Sequence, residues 1–206
     1  MSAAESEYRG WIGTYTGKAF SVMHPEISRG DITIYDIAHS LAMSCRWTGH
    51  TRKHYSVAQH SVLVSRWLER HGWDAKIQML GLMHDASEAY MADVSRPVKE
   101  ELANYKAIES RLMAAILAWF GLPEMQEVIK TADDALLITE RRDLMRRNPR
   151  KWDYVPKAPA QVERISPWWP CRAEFQFLWT YGKLTGTLWP TMKGWLGWQW
   201  KDFCRA

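Results

Sequence analysis

The run from Asp74 to Met91, DAKIQMLGLMHDASEAYM, decides the fold. Ile77, Leu80, Gly81, His84 and Met91 recur every three or four residues, which is the period of an α-helix and not of a strand. A histidine therefore stands in a stripe meant for the core. Asp85 projects about 100° further round, and Glu88 lies one turn on from His84, so this helix offers one imidazole and two carboxylates to one cleft.

Working outward, the same period appears on both sides. From Thr33 to Arg46, Ile34, Ile37, Ala38, Leu41 and Cys45 mark a first helix with Asp31 as its expected N-cap. A polar link from Thr48 to Lys53 leads to a second, Tyr55 to Arg70, with Val57, Val64 and Trp67 on one face and Gly72 as its stop. Pro97 breaks the chain before a fourth helix carrying Ile108, Leu112, Ala115, Ile116 and Trp119, ended by Gly121 and Pro123. A fifth, from about Met125 to Arg147, turns Ile129, Ala132, Leu136, Leu137 and Leu144 inward, and Asn148-Pro149 closes it. No strand-like alternation competes, so the expected class is all-α.

Beyond Pro149 the composition shifts. Pro156, Pro159, Pro167 and Pro170 interrupt a connecting segment, and a short helix is expected around Arg172 to Lys183. Residues 1–185 read as one domain and residues 186–206 as a Trp-rich extension. Trp189, Trp195, Trp198 and Trp200 look too irregular for a helical stripe. Such side chains pack on their own domain, on a second copy in a homodimer, or on another macromolecule.

Composition sets the outer limits. With 206 residues, 47% hydrophobic and 24% charged, the chain can bury a core, and global disorder is excluded. No apolar run approaches the roughly 20 residues that cross a bilayer. The opening MSAAESEYRGW lacks the layout of a secretory signal, so the expected address is the cytoplasm. Cys45, Cys171 and Cys204 are odd in number and far apart, against a disulfide framework or a structural zinc site. A net charge of +4 suits a phosphate-bearing ligand but is too dispersed to specify nucleic acid.

Chemistry enters where polar residues interrupt apolar faces. His60 follows Val57 by three residues and precedes Val64 by four, so it shares the core-facing stripe of the second helix. On the fifth helix Asp133 lies between Ile129 and Leu136 and turns inward, whereas Asp134 shares its side with Lys130 and Arg141 and is expected to face out. Carboxylates on a core face are costly unless compensated, and two imidazoles with two carboxylates make a ligand set for a divalent metal. Glu88 is the natural proton handler beside such an ion, and Arg46 can supply charge to phosphoryl oxygens.

His60, the His84-Asp85 doublet and Asp133 resemble the H…HD…D signature of the HD-domain metal-dependent phosphohydrolases, which form helical bundles. The flanking segments CRWTGH, SVAQHS, HDASEAYMADVSRPVK and IKTADDALLITE resemble those of bacterial 5′-deoxynucleotidases and phage dATP triphosphohydrolases. The likeness runs from about Asp31 to Met145, with weaker similarity to about Leu184, and leaves the Trp-rich tail outside.

The resemblance implies that His60, His84, Asp85 and Asp133 hold a divalent cation such as Co, Mn, Zn or Mg, with His60, Asp85 and Asp133 also meeting the substrate through it. It implies water and leaving-group roles for Glu88 and Asp93. Arg46 and Trp47 match a pair that orients the phosphate and crowds a ribose 2′-hydroxyl, and Asp93, Val94, Ser95 and Arg96 match a loop lining the nucleoside. The expected reaction is hydrolysis of a deoxynucleoside monophosphate. Arg96 replaces a small or hydroxyl residue of that pattern, and with Arg52, Lys53 and Lys99 it supplies charge for the alternative, release of triphosphate from dATP. A non-catalytic nucleic-acid or protein binding module on the same fold is the reading from another class. The guanosine tetraphosphate hydrolase branch is disfavoured because Ala89, not Asp, follows Glu88.

Overall fold

The computed structural model describes residues 10–26, 28–148, 150, 156, 158–161 and 163–205, without the side chains of Arg29 and residues 200–205. Pro149 and the side chains of Trp200 and Cys204 thus lie outside the described residues. A hairpin of β1 (Trp11–Gly13) and β2 (Ala19–Ser21) precedes α1 (Ile34–Met43), α2 (Val57–Arg70), α3 (Ala75–Met83), α4 (Glu88–Met91) and α5 (Arg96–Glu101). Then come α6 (Tyr105–Trp119), α7 (Glu127–Leu144), α8 (Pro170–Thr185) and α9 (Leu188–Arg205). The protein is all-α in class, with one short hairpin that the sequence did not announce. Among the described residues no helix is long and apolar enough to cross a membrane.

Side-chain caps start the first three helices. Thr33, not Asp31, caps α1 by accepting from the Asp36 amide; Asp31 sits in a preceding 3-10 turn. Ser56 caps α2 and Asp74 caps α3 in the same way. Pro97 does not simply break the chain: it occupies the first turn of α5, where a missing N–H costs nothing. Trp119, expected inward, is 44% exposed at the end of α6.

The expected helix from Asp74 to Met91 divides at its histidine. The His84 ring Nδ1 donates to the Gly81 carbonyl at 2.8 Å, the acceptor that a continuing helix would give to the Asp85 amide. Three-residue bonds follow, from the Ala86 amide to Met83 O and from the Glu88 amide to Asp85 O. His84 and Asp85 are therefore presented from a tight turn between α3 and α4.

The core places this turn beside α2. Val64, Leu68, Ile77, Leu80, Ile129, Ala132 and Leu136 form one buried cluster joining α2, α3 and α7. A larger one unites Phe20, Ile37, Leu41, Val62, Leu82, Met83, Ile116 and Phe177. Gly81 lets α3 lie against α2, since a Cβ there would collide with Leu68 and stand 3.3 Å from Val64 Cγ1. The Trp-rich tail, against expectation, is the helix α9. Its Pro190 falls in the first turn, and Leu188, Met192 and Trp195 keep helical spacing and pack toward α1 and α8.

Candidate metal centre

His60 occupies the second turn of α2 and is fully buried. Its Nε2 stands 3.2 Å from His84 Nε2 and 3.2 Å from Asp133 Oδ1 of α7. Asp85 Oδ2 lies 3.2 Å from His84 Nε2 and 3.7 Å from His60 Nε2. His60, His84 and Asp133 offer donor atoms all within 4.8 Å of one another. Donors on neighbouring corners of a tetrahedral or octahedral ion with bonds near 2.1 Å stand roughly 3.0–3.4 Å apart. The three 3.2 Å separations match that spacing, and the 3.7 Å between Asp85 and His60 is slightly longer.

The ring orientations fit too. With His84 Nδ1 donating to Gly81 O and His60 Nδ1 facing Glu140 Oε1 at 2.6 Å, both Nε2 lone pairs are turned into the cluster. With protons as the only cations, burial and Arg46 lower the His60 pKa, but Glu140 and Asp133 outweigh them and raise it from 6.5 to about 9. Burial likewise works to raise Asp85 and Asp133, yet the histidines and Arg46 hold both well below the usual carboxylate range. The cluster stabilises positive charge at its centre.

Arg46 is held beside it by the preceding loop. Its amide donates to Tyr55 O at 2.9 Å, and Cys45 bridges Ser56, which closes residues 45–56 into a loop at the entrance of α2. The guanidinium meets Asp85 at 3.2 Å, Glu140 at 3.3 Å and Asp133 at 3.9 Å. Burial lowers its pKa, but those carboxylates and Asp93 carry it well above its ordinary value. Immediately after it, Trp47 (φ 57°) and Thr48 (φ 51°) take left-handed conformations, which cost about 1–2 kcal/mol each outside glycine.

A cavity of about 590 Å³ opens next to the cluster, lined in part by His84, Asp85, Glu88, Lys99, Glu109 and Lys130. Glu88 is 6% exposed, and its Oε2 is buried with no hydrogen-bond partner. Burial, then the charges of Asp85 and Asp93, push its pKa well above the ordinary carboxylate value, which favours the protonated form. Burial also raises Asp93. Asp93 follows Ala92, whose φ of 72° and ψ of 156° belong to a region otherwise taken by glycine.

Not every expected residue converges. Val94, Ser95 and Arg96 lead into α5 and are absent from the cavity wall, and Ser95 and Arg96 are exposed. Asp134 corrects an expectation: it is fully buried and not outward, paired to Lys130 at 3.0 Å. Lys130, one turn earlier, reaches forward along the helix to pair with it. The residue the sequence reading missed is Glu140, also fully buried, seven positions after Asp133 and so two turns along the same face of α7. That spacing was the available signal.

A mostly helical protein with a His-His-Asp group, His60 of it buried, that could hold a metal ion is the class defined by this fold and site. No family model matches the chain. It is 37% identical over 177 residues, 85% of its length and 96% of the relative's, to the uncharacterized protein YfdR of Escherichia coli K12. It is 36% identical over 135 residues, 61% of its length and 68% of the relative's, to an uncharacterized protein of Rhodobacter capsulatus. The chain belongs to the family of YfdR.

Proposed function

We propose that this protein is a metal-dependent phosphohydrolase that converts deoxynucleoside 5′-monophosphates to deoxynucleosides and phosphate. The observation that carries the reading is a buried Glu88 carboxyl, its Oε2 without a hydrogen-bond partner among the described residues, in a cavity whose wall includes His84 and Asp85 of the cluster. His60, His84, Asp85 and Asp133 are the ligands. When bound, the divalent cation supplies a hold on a phosphoryl oxygen and a water of lowered pKa.

The chain's own residues account for the rest. Arg46, locked protonated by its carboxylates, directs positive charge to the phosphoryl oxygens as the water oxygen bonds to phosphorus. Glu88, whose protonated form burial favours, gives its proton to the departing 5′-oxygen as the P–O bond breaks and is reprotonated by the proton that the attacking water releases. Trp47, fixed in its left-handed turn, crowds the sugar, so a ribose 2′-hydroxyl would be buried without a partner.

The charges around the cavity favour one phosphate over three. Arg96 is exposed and off the cavity wall, Arg52 donates to the carbonyls of Asp143 and Leu144, and Lys99 is paired to Glu109 at 2.7 Å. The test is product analysis with the chain loaded in turn with Co, Mn, Zn or Mg. Phosphate release from dAMP, dGMP, dCMP and dTMP is expected, faster than from AMP by roughly 10–100-fold, since a buried unpartnered hydroxyl costs about 1–3 kcal/mol. Triphosphate released from dATP would move the reading to the alternative substrate, and tight metal binding without turnover would leave a binding module.

A further inference from the structure

Glu140 gathers four donors around one buried carboxylate. Its Oε1 faces His60 Nδ1 at 2.6 Å and accepts from Tyr55 OH at 2.9 Å. Its Oε2 accepts from Arg46 Nε at 3.3 Å and Trp47 Nε1 at 2.9 Å. The carboxylate is fully buried. One oxygen thus serves a metal ligand and the other serves the arginine-tryptophan turn.

We infer that Glu140 is a positioning residue that fixes the tautomer of His60 and, through the same carboxylate, locks Arg46 and Trp47 beside the cation. The inference rests on the metal reading above and deepens it. An imidazole can ligate through Nε2 only while Nε2 carries no proton, and the neutral ring keeps its single proton on Nδ1 when an acceptor waits there. Glu140 is that acceptor. It also helps offset the cost of the left-handed Trp47, whose indole N–H donates to Oε2 from that turn.

Glu140→Gln separates this role from mere packing. Arg46 Nε and Trp47 Nε1 can only donate, so the amide oxygen must take the place of Oε2 and the NH₂ group must face His60 Nδ1. The ring then has to accept at Nδ1 and carry its proton on Nε2, blocking the metal position. Zinc affinity, measured by competition with a chelator, is expected to fall about 10–100-fold, as for other lost partners of metal-bound histidines. Tyr55→Phe, which leaves the contact to His60 in place, is expected to keep the wild-type affinity.

A second measurement does not depend on the variant folding. Nitrogen-15 spectra of the zinc-loaded wild-type chain, with His60 assigned by loss of its signals in His60→Gln, should show a proton on Nδ1 and zinc on Nε2. Ligation through Nδ1, or unchanged zinc affinity in a folded Glu140→Gln, overturns the role of Glu140 while leaving the metal reading intact. A wild-type chain that takes up no zinc, cobalt or manganese overturns both.

Discussion

The cleft between α2, α3 and α7 and the helical hairpin of α8 and α9 solve opposite problems. The cleft buries charge: His60, Arg46, Asp85, Asp133 and Glu140 are brought together where unpaired charges would each be expensive. The hairpin buries aromatic surface with sparse polar anchoring. Glu174 accepts from Trp195 Nε1 at 2.8 Å and faces His39 Nδ1 at 3.2 Å, and Tyr35 OH donates to Thr191 O at 3.3 Å. Trp169 and Trp189 remain mostly exposed. One region gathers titratable groups that could hold a metal ion; the other is held mainly by packing, with a few hydrogen bonds.

If that division is correct, a change in the cleft alters chemistry at little cost in fold, and a change in the hairpin does the reverse. The largest effect is expected from Glu88→Gln. It should leave metal content unchanged and lower turnover about 10²–10⁴-fold, the usual worth of general acid-base assistance. Metal loss would instead make Glu88 a ligand, and an unchanged rate would shift the proton work to Asp93.

A pH series on metal-stripped protein sharpens the electrostatic half. His60 binds its proton more tightly folded than unfolded, with a pKa raised from 6.5 to about 9. Its stabilising contribution is therefore complete below about pH 6.5 and lost as the pH rises through about 9. The loss is on the order of 3 kcal/mol, read from denaturant unfolding. Metal-loaded protein should show the opposite trend in affinity, because the cation competes with that proton. A flat stability profile across this window would contradict the charge-rich account of the cleft.

Gly182→Ala tests the hairpin. A Cβ there would stand 2.7 Å from Leu188 Cα, a backbone atom that cannot swing away. A loss of about 1–3 kcal/mol from overpacking is expected, measured as a lower unfolding midpoint with metal stoichiometry unchanged. Loss of metal in step with stability would show that the two regions are not independent.

The same contrast explains what could be read from sequence. His60, His84 and Asp133 were legible because each interrupts an apolar face; helix geometry turns His60 and Asp133 inward, whereas His84 and Asp85 reach the cluster from a tight turn. The break at His84 was not legible, since it depends on a side chain capturing a backbone carbonyl. Asp134 was misplaced because helix periodicity ignores a lysine one turn away that reaches forward to pair with a carboxylate. Glu140 went unremarked among charged neighbours at the end of α7, although its seven-residue spacing from Asp133 was visible. In α9, Gly194 and Gly197 diluted a 4-3-3 pattern at Leu188, Met192, Trp195 and Trp198, and the Glu174 that anchors Trp195 lies on another helix.

The central claim is that the buried cluster holds one catalytic divalent cation, and elemental analysis of purified wild type and Asp85→Ala, paired with phosphate release from dAMP, tests it most directly. The account predicts close to one metal per wild-type chain with turnover, and neither in a helical, folded Asp85→Ala. Normal phosphate release by Asp85→Ala, or a wild-type chain that binds no divalent metal, would contradict it.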